Sequence, residues 1–373
     1  MEVETLCLIY EKTTVPVPKV RAWGLAANNP LILGPFIVMD FIEGVSLSDV
    51  LKDSGRLSSR LIRPDISDHK MAAIYAQFAK IQLELFQLDF DKIGNVPSAK
   101  TRYTAYDHPL TYKGHDIMQT GGVNCFSDRN IPILATQAYF EHIVSQDWKQ
   151  LRQQRNSVFG PNDARAKYAC LSVLAANLPY FINTEFDRGP FKLICDDLGL
   201  SNLIVRGEDD VTIVGVVDLE WSYVGTAQLF ATPWWLLQAR LNLWSAEYDE
   251  ESPKIADRFL QYLRIFTQVL EDEEKKMPSC RQRLSDLLKW SQSSGAIWLH
   301  MVLSCGFNFD DSIPFTRLRE HIGRDKWEQQ EKAFSDSNDI EAFVAQKVLQ
   351  LKQYNKDYEH LQQKRTKVSH SGP

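Results

Sequence analysis

No stretch of this 373-residue chain approaches the roughly 20 consecutive apolar residues that a membrane-spanning helix needs. The N-terminus also lacks the basic segment, apolar core and cleavage site of a secretory signal, so a soluble cytoplasmic protein without a membrane partner is expected. The six cysteines (Cys7, Cys125, Cys170, Cys195, Cys280 and Cys305) are scattered, and no two have the spacing of a zinc site or a small disulfide framework. The histidines are equally dispersed, without an H-E-x-x-H pair, which leaves zinc chemistry unsupported. There is no excess of positive charge either. With 42 Lys and Arg against 48 Asp and Glu, the net charge is -6, and nothing draws the chain to a nucleic-acid backbone. Nor is there an internal repeat.

What is present is 44% hydrophobic and 24% charged residues, the composition of a globular protein with a large core or two lobes. The opening "MEVETLCLIYEKTT" places Val3, Leu6, Leu8 and Ile9 near one helical face, and Pro16 and Pro18 end the helix. "KVRAWGL" and "GPFIVMDFI" read as two strands, the second stopped by Gly44. Residues 70–88 are a strong helix, with Met71, Ile74, Tyr75, Phe78, Ile81 and Leu85 at three- and four-residue steps. Residues 95–132, rich in turn formers and aromatics, read as a connecting insertion. Helices are expected at 134–155 and 162–181, short strands over 191–218, and helices again beyond Trp221, near 254–270, 281–303 and 338–365. "EDEEKK" at 271–276 reads as a solvated helix end.

The stretch "LICDDLGLSNLIV" (193–205) carries the chemistry. Two apolar runs separated by the polar turn "GEDD" make a hairpin, which puts Asn202 and Asp218 at its open end, about 5 Å apart across neighbouring strands. Asp197 lies five residues before Asn202 in the loop that feeds the hairpin. An amide oxygen beside a carboxylate suits magnesium, and a third carboxylate can take a proton from an attacking hydroxyl. The plain alternative is that these residues only form turns and caps, which is what Asp, Asn and Gly usually do. Cys195 reads as a buried thiol and Asp196 as a loop residue. Trp234, Trp235 and Trp244 read as core.

The order of "GPFIVMDFIEG", then helices, then "CDDLGLSN" and "VVDLEW", resembles the aminoglycoside phosphotransferase and choline-kinase-like family. Its H-G-D-x-x-x-x-N and I-D-W-E segments match those last two stretches, and "TTVPVPKV", "FDKIGNV" and "TPWWLL" extend the match over about residues 2–240. The resemblance implies an α+β, protein-kinase-like two-lobe fold, with a truncated N-lobe and hinge at 1–45 and a mainly helical C-lobe at 46–373. It implies an ATP-dependent phosphotransferase with Asp197 as base and Asn202 and Asp218 as Mg²⁺ ligands. Met39, Asp40 and Ile42 would bind the adenine, and Glu4 would be the helix glutamate that pairs with the phosphate-binding lysine. The acceptor implied is a small-molecule hydroxyl, with a cationic substrate as the family's analogy.

The sequence departs from that pattern in two ways. A glycine-rich turn and strand lysine are expected before Glu4, but the sequence opens at Met1 without them, and Lys12 and Lys19 follow the helix. Cys195 also replaces the histidine two residues before the base. The expectation is therefore either a shortened enzyme or a catalytically inactive kinase-like binding protein.

Overall fold

The computed structural model describes residues 1–53, 61–96, 109–126, 132–244, 252–277, 283–304, 312–336 and 338–369. Cys280, Cys305 and residues 97–108 and 127–131 of the insertion lie outside them. The architecture is α+β, with short sheets set among helices. Among the described residues no helix is long and apolar enough to cross a membrane.

Helix α1 (Glu2–Lys12) carries Glu2 and Glu4 in its first turn and Lys12 in its last, each complementing the helix dipole. Its Val3, Leu6 and Ile9 are buried, and the chain becomes extended at Thr13. Strand β1 (Val20–Gly24) pairs antiparallel with β2 (Phe36–Met39) in a two-stranded ribbon. β2 ends at Met39, before the expected reach to Ile42, because the following residues turn toward β3 (Val45–Ser46), which joins a different sheet. Gly44 permits that turn. Its φ is 149°, and a Cβ there would overlap the Val205 carbonyl oxygen.

After α2 (Leu47–Leu51) comes α3 (Asp68–Phe86), capped by Ser67 accepting the Lys70 N–H. All six apolar positions expected on its inner face are buried. Strand β4 (Asp89–Phe90) follows, then α4 (Tyr112–Gly121), a helix inside the insertion that the sequence reading did not anticipate. Thr111 caps it and the left-handed Gly122 ends it. Helices α5 (Thr136–Gln153) and α6 (Pro161–Asn177) fall where expected.

Strands β5 (Phe191–Cys195), β6 (Leu203–Val205), β7 (Ile213–Val216) and β8 (Ser222–Gly225) form two sheets, in the orders β3-β6-β7 and β4-β5-β8. The chain beyond Trp221 is thus not immediately helical. "SYVG" pairs with β5 and is buried at all four positions, so no alternation betrays it. The later helices are α7 (Ser252–Glu274), α8 (Leu284–Ser294), α9 (Ala296–Leu303), α10 (Ile313–Ile322), α11 (Arg324–Ser335) and α12 (Asn338–Ser369). The helix expected over 281–303 is broken at Gly295, whose φ of 76° ends α8 and starts α9.

"EDEEKK" is only partly a solvated end. Glu274 is buried and accepts from the Leu284 N–H (2.6 Å) and the Ser285 hydroxyl, which satisfies the start of α8.

Two apolar clusters form the core. One joins α1, α3, β6, β7, α7 and α8, and the other joins α5, α6, β5, β8 and α9 to α12. The loop from β5 to β6 crosses between them, with Ile194 in the second cluster and Leu198 and Leu200 in the first.

Candidate active site

β5 is the middle strand of its sheet and is fixed on both edges. At its end the Asp196 N–H donates to the Trp221 carbonyl (3.1 Å) and the Leu198 N–H returns to the Cys195 carbonyl (3.1 Å). A tight turn results, with Asp196 and Asp197 at its tip. Leu198 and Leu200 are buried and hold the loop down, while the Asp197 side chain stays 40% exposed, open to a reactant. Burial raises the Asp197 carboxyl above its ordinary value, the nearby Arg240 cation opposes this, and the Asp218 charge adds to it. Asp197 and Asp218 are therefore within electrostatic reach of each other.

The hairpin is as expected, but its register differs by one residue. Leu203 faces Val216 and Ile204 faces Gly215, and the Val217 N–H donates to the Asn202 carbonyl (3.0 Å). Asn202 is thus opposite Val217, and Asp218 is one step further on. An irregularity between Ile204 and Val205 takes up the extra residue, which a count from the turn does not see. Asp218 is exposed, has φ 61° and makes no ion pair among the described residues. A left-handed aspartate is uncommon and costs strain, a mark of functional loops. Buried Leu219 and Val216 anchor it on either side.

Asn202 is 4% exposed, and its Oδ1 accepts from the Gly199 N–H (3.0 Å) and the Ser201 hydroxyl (3.2 Å). Both lone pairs of that oxygen are used inside the loop. Asp218 therefore fits a hard cation as it stands, whereas Asn202 fits only after the Ser201 hydroxyl rotates away. Among the described residues no group of three or more His, Cys, Asp or Glu forms a metal cage. A magnesium site that takes one or two protein oxygens and completes itself with phosphates and water does not need one.

The expected adenine residues lie along the exit from the ribbon. Met39 is 37% exposed, and Ile42 lies against Gly215 of β7, where a Cβ would meet its side chain. The Asp40 side chain is held by Arg21 in a two-pronged pair (2.6 and 2.8 Å), and its N–H donates to the Lys19 carbonyl. Met39 and Ile42 thus offer apolar surface, while the Asp40 N–H is already used. Glu4 pairs with the Met1 amine (2.9 Å). The α1 residue that faces the site is Glu2: its carboxylate accepts the Leu219 N–H and feels the charges of Asp218 and Glu220, and burial raises its pKa.

Three features escaped the sequence reading. The first is Arg240, which donates to the Asp196 carbonyl (2.9 Å), approaches the Asp197 carboxylate (3.8 Å) and lies over the Trp234 ring (4.0 Å). The second is Asp196, read as a plain loop residue. Its carboxyl accepts the Tyr112 N–H at the start of α4 and, at 3.5 Å, the Tyr223 hydroxyl, so it ties the insertion to the loop. The third is a cavity of about 70 Å³ behind the loop, whose polar lining includes Asp196, Arg240, Thr232, His300 and Ser304. Burial pushes the His300 imidazole down to about 3, so it is neutral, bonded to Gln228 and Thr232. Cys195 has its thiol pushed up to about 12 by burial and is inert. Trp235 is core as expected, whereas Trp234 is partly buried and carries Arg240.

Burial pushes Asp196 up to about 6, against the pull of Arg240 and the Tyr112 N–H. An acid whose folded-state pKa exceeds its unfolded value contributes stability that is full below the unfolded pKa and lost as pH rises through the folded one. Stability linked to Asp196 should therefore fall between about pH 4 and pH 6, by an amount on the order of 3 kcal/mol. Asp196→Asn should flatten that slope and raise the melting temperature at pH 7, as read by thermal denaturation across that range. An unchanged slope would show that this carboxyl is not the group that titrates.

No family model matches the chain, and no curated protein matches it. Among solved structures it is similar to aminoglycoside phosphotransferase APH(4)-Ia in ternary complex with ADP and hygromycin B. That likeness has 12% identity and a TM-score of 0.41, and it covers 90% of this chain and 84% of that one. A microcompartment-associated aminopropanol kinase is similar at 12% identity and a TM-score of 0.34, with 95% of this chain and 81% of that one covered.

Proposed function

We propose that this protein is an ATP-dependent phosphotransferase acting on a small-molecule hydroxyl. The observation that carries the reading is the pair of unlike carboxylates on adjoining loops. Asp197 is half-exposed on an anchored turn with a cation at its side, and Asp218 is exposed, strained and without an ion-pair partner among the described residues. Phosphoryl transfer needs this asymmetry, with one acid to receive a proton and another to face a metal.

In this reading Asp197 orients the acceptor hydroxyl and takes its proton as the oxygen bonds to the terminal phosphorus and the bond to ADP breaks. Burial supports the role, because a carboxylate held above its ordinary pKa is a stronger base near neutrality. Asp218 would hold a magnesium ion, joined by Asn202 once its amide oxygen is released, and that ion neutralises charge on the phosphates. The apolar surface of Met39 and Ile42 suits an adenine ring. The second reading, a binding protein without turnover, draws on Asn202, whose amide oxygen is committed to its own loop.

Calorimetric titration of ATP with and without magnesium tests the site. Binding is expected to need magnesium, and Asp218→Ala should weaken it by more than the roughly 10–100-fold that loss of an outer-shell partner costs. If the folded protein binds no nucleotide, or Asp218→Ala binds it equally well, the phosphotransferase reading is wrong. Magnesium-dependent binding without turnover on any alcohol would favour the second reading.

A further inference from the structure

We propose that Arg240 is the positioning residue of this site, locking the turn that carries Asp197 and holding that carboxylate in a single orientation. The inference rests on the reading of Asp197 as the base. Arg240 lies far from the loop in sequence, on the connection that leads from the Trp234 turn to α7, and no motif marks it.

The geometry is that of a clamp. One terminal nitrogen, Nη2, donates to the Asp196 backbone carbonyl at 2.9 Å and sits 3.8 Å from Asp197 Oδ1, so one group holds both the backbone and the side chain of the turn. The other, Nη1, reaches the Ser304 hydroxyl at 3.4 Å at the end of α9. The guanidinium plane lies over Trp234, its centre 4.0 Å from the ring, and Trp234 in turn lies against Gly199 of the same loop, where a Cβ would be only 3.0 Å from the indole. Arg240 is thus fixed on one face by an aromatic ring, at one end by a hydroxyl and at the other by the loop, and its side chain is only 16% exposed. A planar, five-donor group can meet all these partners at once, and a lysine ammonium cannot.

The charged groups around Asp197 make the consequence specific. Asp218 and Asp196 are like charges, and Arg240 is the cation that opposes them. The clamp therefore does two things: it keeps Asp197 ionised among other acids, and it directs one carboxylate oxygen away from the cation, toward the open side.

The test uses the full chain with Arg240→Gln and Arg240→Lys, read by carboxyl-carbon NMR of labelled aspartate, the Asp197 signal being assigned with Asp197→Asn. Arg240→Gln should raise the Asp197 midpoint by about one pH unit, a tenfold change in its protonation equilibrium. Arg240→Lys should restore most of that midpoint but not the turnover, lowering kcat while leaving KM for nucleotide unchanged. That split separates orientation from charge. An Asp197 midpoint unmoved in folded Arg240→Gln, or full kcat in Arg240→Lys, would overturn the proposal. Should Arg240→Gln not fold, the kcat against KM split in Arg240→Lys decides alone, with a loss of kcat in support and full kcat against. Failure of the parent reading looks different: the wild-type chain shows no turnover although the Asp197 midpoint still responds to Arg240.

Discussion

Asp197→Asn is expected to lower phosphoryl transfer by about 10²- to 10⁴-fold, the range over which general-base catalysis contributes. The amide keeps the shape of the carboxylate and can still accept a hydrogen bond from an acceptor hydroxyl, but it cannot take the proton. Nucleotide binding should be little changed, because the phosphate end of the site is assigned to Asp218. Folding should be unharmed too. The side chain is 40% exposed, and replacing a carboxyl whose charged form burial disfavours removes a burden rather than a support. The pH profile provides the sharper check. A base must be ionised to act, and Asp197 is held above its ordinary value, so the wild-type rate should fall on the acid side at a pH above the usual carboxylate range. The residual rate of Asp197→Asn should lack that limb. Steady-state kinetics of ATP consumption from pH 4 to pH 9 would measure both. A variant that retains near wild-type turnover would remove Asp197 from the chemistry.

How much of this could be read from the residues follows from how far each signal travels along the chain. The turn, the hairpin and α3 were legible because their patterns are local: short apolar runs flank "GEDD", and six apolar residues recur at helical steps in α3. The anchoring of Asp197 by buried Leu198 and Leu200 was not read from the sequence; it shows only once the loop is seen against the core. What was not legible depends on contacts between distant segments. Arg240 reaches Asp196 and Asp197 across the three intervening strands β6, β7 and β8. The shift that sets Asp218 one residue past the position opposite Asn202 comes from an irregularity in the hairpin pairing. Asp196 looked like turn filler because its partner, the first N–H of α4, lies in an insertion whose helix has its buried face in only Lys113, Gly114 and Ile117, too few apolar residues to announce it. Glu2 rather than Glu4 faces the site because helix phase, not distance from Pro16, decides which side chain points at Leu219.

Lys113→Ala is expected to produce the largest loss of stability, because it breaks a buried ion pair and leaves a lone carboxylate. Lys113 Nζ donates to Asp147 Oδ2 (2.8 Å) and to the Leu303 carbonyl (2.9 Å), and the two charged side chains are 3% and 6% exposed. One amine thereby ties α4 to α5 and α9. Among the described residues Asp147 Oδ1 has no hydrogen-bond partner, and none of them is bonded to it to compensate when the amine goes. Removing one partner of such a pair costs about 3–5 kcal/mol, whereas replacing both by apolar groups of similar size is often neutral. The double change Lys113→Met with Asp147→Leu should therefore recover most of what Lys113→Ala loses, which a simple loss of packing would not predict. The pH dependence has a definite sign. Burial raises the Asp147 pKa to about 6 even with the lysine present, and removing the cation raises it further. A carboxyl raised in the folded state is harmless while protonated, so the deficit of Lys113→Ala should be smallest near pH 4 and should grow as pH rises through the shifted pKa. The same variant loosens the start of α4, where Tyr112 and His115 pack on Trp221 and the Tyr112 N–H meets Asp196. Denaturant titrations of the single and double variants at pH 4 and pH 7 would show both effects, and an equal deficit at the two pH values would exclude an unpaired Asp147 charge as the cause.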